Sequence, residues 1–145
     1  RNKTDDVLKC LADSGGMLGL SLYPHHLRNK STCTLEDFCN MVARTADMIG
    51  VGSIGFGSDL CQNQPDEVVE WMRNGKWTNK IDFGEGTASA AGFPVQPTWF
   101  SDNTGFQNIL VGLQEVGFSN QEIEQIAGEN WLNFFDNSFK ARDDK

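Results

Sequence analysis

Residues 17–59 decide the fold, because they read as a strand, a helix and a second strand: MLGLSLY (17–23), TLEDFCNMVARTADMI (34–49) and SIGFGSD (53–59). The first run is apolar without polar alternation and is flanked by glycines, which is typical of a strand buried on both faces in a parallel sheet. The order strand, helix, strand predicts a βαβ unit with parallel strands and a right-handed crossover. The expected fold class is therefore α/β.

The helix at 34–49 has recognisable ends. Thr34 can cap its first turn, with Asp37 in place of the usual glutamate of a capping box, and Gly50 is a natural stop. Apolar side chains recur at helical spacing and form one stripe: Leu35, Phe38, Cys39, Val42, Ala43, Ala46 and Ile49. The helix is therefore expected to bury one face.

The segment GVGSIG (50–55) matches the GxGxxG pattern of dinucleotide-binding proteins, but its context is wrong. That fingerprint follows a strand and opens a helix, so that the helix N-terminus meets the pyrophosphate. Here a helix precedes the glycines and a strand follows. We interpret these glycines as a helix stop and a site of close backbone packing.

Helices and one long loop flank the βαβ unit. The sequence predicts a helix over 4–14 and a second helix that starts at Pro65 and ends near Arg73. From about 75 to 102 the chain is rich in glycine, proline and aromatic residues. A stretch of this length without secondary structure is usually functional or disordered.

The C-terminal third is expected to be helical. An apolar stripe from Phe106 to Val116 predicts one helix, closed by Gly117, and Ser119 with Glu122 forms a capping box for the next. The end of the chain predicts a dense apolar docking surface: Trp131, Leu132, Phe134, Phe135 and Phe139.

Composition argues against several classes of partner. The 145 residues carry a formal charge of −8 with scattered Lys and Arg, so nucleic acid is not expected as a partner. No apolar run approaches the roughly 20 residues that span a bilayer, so no transmembrane segment is expected.

The cysteines form no CxxC pair, and we expect reduced thiols packed as small apolar side chains in a cytoplasmic or otherwise reducing setting: Cys10, Cys33, Cys39 and Cys61.

Residues that follow the two strands could carry chemistry. Asp59 ends a glycine-rich strand, at the sheet edge where barrel enzymes hold catalytic residues, although a cap for the next helix is the simpler interpretation. His25 and His26 follow the first strand, but adjacent side chains point to opposite faces of an extended backbone. With no carboxylate at metal-ligand spacing, these histidines are expected to be structural or exposed.

Four short segments follow one another in an informative order: RNKTDDVL (1–8), LSLY (20–23), GFGSD (55–59) and GENWL (128–132). In this order they resemble the membrane (renal) dipeptidase family, which is similar to the amidohydrolase-type metal barrels. The resemblance implies the C-terminal part of a TIM-type (β/α)₈ barrel, comprising its last two βα units and terminal helices. Residues 1–145 are then a single fragment of that barrel.

The resemblance also implies roles for three residues. Asp59 resembles the aspartate of the last barrel strand, which handles protons opposite a two-zinc centre. Arg1 resembles the arginine that holds the terminal carboxylate of the substrate, and Tyr23 resembles the tyrosine that lines the substrate pocket. The zinc ligands of the family are expected upstream of Arg1, so no metal ligand is assigned within the chain.

One departure concerns substrate preference. Leu60-Cys61-Gln62 stands where many family members have Phe-Asp-Gly, at the start of a long 62–102 excursion, so a different loop over the site is expected. The implied function is dipeptide hydrolysis by a two-zinc-activated water. The alternatives are another amidohydrolase-type amide hydrolase, or a non-catalytic binding or assembly module built from the aromatic loop and the Phe-rich C-terminus.

The 145 residues by themselves are expected to be inactive. The resemblance implies that this stretch lacks the metal ligands, so it should bind no stoichiometric zinc and hydrolyse no dipeptide. Two apolar strands without the rest of a barrel leave unpaired edges. Association between copies, or with the missing N-terminal part, is therefore expected.

Overall fold

The computed structural model describes residues 3–74 and 93–140, which form an α/β structure with a parallel sheet. The elements, in chain order, are α1 (Asp5–Asp13), β1 (Leu18–Ser21), α2 (Leu35–Ile49), β2 (Ile54–Gly57), α3 (Asp66–Asn74), α4 (Phe106–Glu115), α5 (Asn120–Glu124) and α6 (Asn130–Ser138). A π-helical turn, Gln125–Glu129, joins α5 to α6. None of the described helices combines the length and the apolar character that crossing a bilayer requires.

Strands β1 and β2 are parallel neighbours joined through α2, so the βαβ prediction of parallel strands is confirmed. Their register pairs Leu18 with Ile54 and Ser21 with Gly57. The N–H of Leu22 donates to the carbonyl of Gly57 (3.0 Å), which extends the pairing beyond the end of β1. The segments that follow β1 and β2 therefore leave the sheet side by side.

Both strands are shorter than the predicted 17–23 and 53–59. After β1, Pro24 begins a short 3₁₀ turn, Pro24–His26, because its ring fixes a turn-compatible φ angle. After β2, Asp59 takes a φ angle of 51°, which no strand residue can have. Local backbone geometry at these two positions ends the strands early.

The prediction that β1 is buried on both faces is wrong for the described residues. Leu20 is buried, but Gly19 is exposed. Helix α2 covers the face that carries Leu20 and its register partner Phe56, whose ring lies 5.9 Å from that of Phe38. The described side chain nearest Gly19 on the other face is Trp131, and it covers that face only in part.

Helix α2 is the centre of the core. Its cap is the predicted one, since the Thr34 hydroxyl oxygen accepts the N–H of Asp37 (3.0 Å), and Gly50 ends it at a φ angle of 85°. Helix α4 packs closely on α2, because Gly112 leaves room for the Cys39 thiol. The side chains that form the buried core include Leu20, Leu22, Phe38, Cys39, Val42, Ile54, Phe100, Ile109, Leu113 and Ile126.

Of the predicted apolar docking surface at the C-terminus, one part packs against the sheet and the other is exposed, and docking to a partner stays a prediction. Trp131 packs against the sheet, but Leu132, Phe135 and Phe139 are 70%, 47% and 80% exposed. The reason is the direction of α6, which turns Asn130 and Trp131 toward β2. Phe135 stacks on the Trp131 ring at 5.6 Å and Phe139 continues the stack along the helix.

Two of the four cysteines are buried and two are exposed. All four cysteines are free thiols; Cys33 and Cys39 are buried as predicted, whereas Cys10 and Cys61 are exposed. Cys10 lies on the outer face of a surface helix and Cys61 in the loop after β2, so neither reaches the core.

Of the predicted 75–102 loop, residues 75–92 lie outside the described residues, and 93–102 holds one short 3₁₀ turn.

Candidate active site

Asp59 lies in a turn immediately beyond β2. Its backbone is in the left-handed region, which aspartate tolerates better than most residues with a Cβ. The hydroxyl oxygen of Ser58 accepts the N–H of Leu60 (3.4 Å) across this turn. Helix α3 begins only at Asp66, so the simpler interpretation of Asp59 as its cap is wrong. The carboxylate is exposed.

Tyr23 leaves β1 at the same edge of the sheet at which Asp59 leaves β2. The two residues line one open cavity of about 380 Å³. Because parallel strands place their carboxyl ends together, this shared cavity follows from the pairing of β1 with β2. The sequence-predicted Tyr23 and Asp59 are thus brought together. Arg1 lies outside the described residues.

Two loops complete the cavity wall. One follows Asp59, and the other is the described end of the 62–102 excursion. The lining residues from the second loop are Phe93, Pro94, Gln96, Ser101 and Asp102. This loop is fixed by long-range bonds: Trp99 Nε1 donates to the Cys33 carbonyl (2.7 Å), and the Asn103 N–H donates to Gln62 Oε1 (3.2 Å).

The described lining of this cavity is acidic. It includes Asp59, Asp66 and Asp102 and contains no Lys, Arg or His. The Thr104 hydroxyl and backbone N–H both donate to Asp102 Oδ1, and they hold the pKa of that carboxyl below its usual range. The cavity therefore favours positively charged ligand groups.

His25 and His26 adjoin Tyr23, but they line a different cavity. Their ring centroids lie 5.5 and 5.1 Å from that of Tyr23. His26 Nδ1 is 2.9 Å from the Ser21 hydroxyl, which also accepts the Tyr23 N–H (3.2 Å). The histidines line a cavity of about 750 Å³ along β1 and α2, which has no lining residue in common with that of Asp59.

The described residues do not fit the zinc centre that the family implies. Among residues 3–74 and 93–140, no group of three or more His, Cys, Asp and Glu side chains could hold a metal ion. Asp59 and Tyr23 can bind and transfer protons or position a substrate.

Sequence reasoning expected a different loop over the site but did not identify the loop residues that line it. Gln96 and Asp102 belong to no recognisable motif in the sequence. Only their place in the 62–102 excursion indicated that they could lie over the site. Their position in the wall depends on bonds between residues far apart in sequence, such as that between Trp99 and Cys33.

Several solved structures are similar to this chain. An amidohydrolase from Pseudomonas aeruginosa matches 92% of this chain and 39% of its own, with a TM-score of 0.75 and 23% identity. Dipeptidase AC, a metallopeptidase of family M19, matches 97% of this chain and 34% of its own, with a TM-score of 0.68 and 21% identity.

A third similar structure is a metallopeptidase from Rhodobacter sphaeroides, liganded with a phosphinate mimic of the dipeptide L-Ala-D-Ala. It matches 96% of this chain and 32% of its own, with a TM-score of 0.67 and 20% identity. The chain thus spans between 32% and 39% of the length of these three proteins. At these identities the likeness establishes a common fold.

The sequence itself assigns the family. Residues 1–75, just over half of the chain, match the model of the membrane dipeptidases. That stretch contains both strands of the sheet and the residues Tyr23 and Asp59. The chain belongs to the membrane dipeptidase family, peptidase family M19.

Proposed function

We propose that residues 1–145 are the C-terminal part of a metal-dependent dipeptidase barrel, in which Asp59 transfers protons and Tyr23 lines the substrate site. The observation that carries the proposal is the shared cavity of Tyr23 and Asp59 at the carboxyl ends of two parallel strands. Catalytic groups in (β/α)₈ enzymes gather at that end of the strands. Family membership supports the same reaction class.

Asp59 is the proposed acid–base residue. An exposed carboxylate can take a proton from the attacking water and return it to the leaving amine nitrogen as the C–N bond breaks. Its left-handed turn directs the chain out of β2 and into the cavity wall formed by the following loop. Hydrolysis then yields two amino acids, with no net change in the protonation of Asp59.

Tyr23 and Arg1 are the proposed substrate-binding residues. Tyr23 presents an aromatic ring and a hydroxyl group, which can pack on a side chain and donate a hydrogen bond. The Arg1 guanidinium is proposed to hold the substrate carboxylate, since its planar fork matches both oxygens.

The metal dependence of the proposal comes from the family. Zinc is the proposed metal, two ions in the whole enzyme, with ligands proposed to lie upstream of Arg1. Among the residues that the structure describes, no group of three or more His, Cys, Asp and Glu side chains could hold a metal ion. Asp59 and Tyr23 are the described residues that we propose to take part in the reaction.

A second candidate is hydrolysis of an amide other than a dipeptide. The specific observation is the cavity wall, to which the 93–102 segment contributes after the Leu60-Cys61-Gln62 departure. One of the similar structures is itself called an amidohydrolase. A wall of different composition changes which amide fits.

A substrate panel on the metal-loaded, full-length protein tests the proposal. The panel contains dipeptides, including L-Ala-D-Ala, together with N-acyl amino acids and cyclic amides. We expect hydrolysis of dipeptides that a chelator abolishes. Hydrolysis of the other amides alone would favour the second candidate, and no hydrolysis of any member would favour a non-catalytic module.

A further inference from the structure

Both polar groups of the Tyr23 backbone are bonded to nearby residues. The N–H of Tyr23 donates to the Ser21 hydroxyl oxygen (3.2 Å), and its carbonyl accepts the N–H of His26 (2.9 Å) across the 3₁₀ turn. Backbone groups that are bonded in this way cost free energy to release. The backbone of Tyr23 is therefore held by Ser21 on one side and by His26 on the other.

The imidazole of His26 completes this network. Its Nδ1 atom lies 2.9 Å from the same Ser21 hydroxyl. Because a serine hydroxyl has two lone pairs and one hydrogen, Ser21 can accept the Tyr23 N–H and donate its own hydrogen to Nδ1 at the same time. The His26 ring also meets the Tyr23 ring edge to face, with centroids 5.1 Å apart. His26 thus contacts Tyr23 through its backbone, through Ser21 and through its ring.

His26 lies outside the cavity that Tyr23 shares with Asp59. It lines the separate cavity along β1 and α2, and the described lining of the Asp59 cavity does not include it. An effect of His26 on a substrate at Asp59 therefore has to pass through Tyr23. Neighbouring residues commonly hold a binding group in this way, and a group that is already ordered loses less entropy when the ligand binds.

We infer that His26 is a positioning residue of the substrate site, which holds Tyr23 in the orientation that contacts the substrate. The inference rests on the proposed function, because it takes the cavity of Tyr23 and Asp59 as the substrate site. It assigns a role to a histidine that lies in neither the proposed metal site nor the proposed substrate cavity. Loss of the link between His26 and Ser21 should weaken substrate binding and leave proton transfer at Asp59 nearly unchanged.

Steady-state kinetics of dipeptide hydrolysis by the metal-loaded, full-length protein test this role. The variant His26→Phe keeps an aromatic ring beside Tyr23 and removes the bond to Ser21. We expect KM to rise about fivefold, the usual effect of losing one hydrogen bond, and kcat to stay within about twofold of wild type. The dissociation constant of a phosphinate dipeptide mimic, measured by calorimetry, should rise by the same factor as KM.

Three further variants separate positioning from general support of the fold. Ser21→Ala removes the same bond from its other end, so it should raise KM by a similar factor, also if His26→Phe is too unstable to assay. His26→Asn should restore most of the wild-type KM, because asparagine Oδ1 is as many bonds from Cα as histidine Nδ1 and can accept the Ser21 hydroxyl. His25→Phe is the matched control and should leave KM nearly unchanged. The His25 ring also lies beside Tyr23, at 5.5 Å, whereas the bond to Ser21 comes from His26.

A Tyr23→Ala background tests whether His26 acts through Tyr23. Without the tyrosine ring there is nothing for His26 to position, so adding His26→Phe to Tyr23→Ala should leave KM and the dissociation constant of the mimic unchanged. If His26→Phe raises KM by the same factor in both backgrounds, His26 affects the substrate by another route and the inference is wrong.

Other outcomes overturn the inference and leave the proposed function standing. One is that His26→Phe and Ser21→Ala lower only the thermal midpoint and keep KM and the dissociation constant of the mimic, which is the result of a purely structural role. Another is that His26→Asn binds no better than His26→Phe. If wild type hydrolyses no dipeptide and binds no mimic, the proposed function fails and the inference fails with it.

Discussion

The indole of Trp131 lies in the space that Gly55 leaves by having no side chain. A Cβ on Gly55 would be 2.7 Å from Trp131 Cδ1 and closer still to Nε1, and that Nε1 donates to the Phe56 carbonyl (3.2 Å). A residue of the last helix thereby contacts the strand that leads to Asp59. The pairing ties the GENWL segment (128–132) to the GFGSD segment (55–59).

Gly55→Ala should destabilise the protein, because the new methyl group overlaps an indole that cannot withdraw without breaking its bond to Phe56. Overpacking of this kind costs about 1–3 kcal/mol. Chemical denaturation of the full-length variant measures the change. Gly52→Ala is the control, since a Cβ there meets nothing within 4 Å, and equal stability of the two variants would contradict the packing described.

Asn130 makes a second connection between α6 and β2. Its buried Nδ2 donates to the carbonyls of Val51 (2.8 Å) and Ile54 (2.9 Å). Asn130→Asp removes both donors and places a carboxylate against two carbonyl oxygens, which should cost about 3 kcal/mol. The exposed Asn133→Asp in the same helix should change the free energy of unfolding little. A small effect at Asn130 would show that these bonds are dispensable.

The α5 capping box makes stability depend on pH. Glu122 Oε2 accepts the Ser119 N–H (2.9 Å) and hydroxyl (2.7 Å), and these bonds lower the pKa of Glu122 below its usual 4.5. A lowered carboxyl pKa stabilises the fold above pH 4.5, and that contribution is lost as the pH falls through the folded-state value.

Unfolding midpoints of wild type and Glu122→Gln, measured between pH 7 and pH 3, test this box. Wild type should be the more stable at pH 7, and the difference should shrink toward pH 3. Glu124→Gln controls for the loss of one charge in the same helix. A difference that stays constant over the whole pH range would mean that ionised Glu122 adds nothing.

The four thiols should differ in reactivity. Burial, with smaller effects of Glu115 and Cys33, raises the pKa of Cys39 to about 12, and burial also raises that of Cys33. Because the thiolate is the reactive form, alkylation at pH 8 should modify Cys10 and Cys61 and spare the other two until the protein unfolds. Peptide mass spectrometry measures the extent of alkylation at each cysteine. Equal labelling of all four would contradict the packing around α2.

The βαβ unit could be predicted from the sequence because its signals are local. Thr34 and Gly50 bound α2 in the sequence and in the structure, and the apolar stripe between them faces the core. The strand ends were predicted less well. Their positions depend on the turn at Pro24 and on the left-handed backbone of Asp59, and hydropathy reports neither.

The sequence identified two residues of the candidate site, and each follows the end of a strand. The family resemblance singled out Tyr23, and the strand end together with the resemblance singled out Asp59. The parallel pairing of the strands explains why both residues line one cavity. A different loop over the site was expected from the 62–102 excursion, but its lining residues could not be named, since the loop is placed by single bonds across long sequence separations, such as Asn103 to Gln62. Composition does not encode such pairs.

The most direct test of the central claim is the turnover number of Asp59→Asn in the metal-loaded, full-length protein. Asparagine also tolerates the left-handed backbone, so the substitution removes the proton acceptor while keeping the turn. We expect dipeptide turnover to fall about 10²–10⁴-fold with metal content and stability unchanged. Asp66→Asn, a carboxylate change in the same cavity, should keep most of the activity. Turnover of Asp59→Asn within a few-fold of wild type would contradict the account.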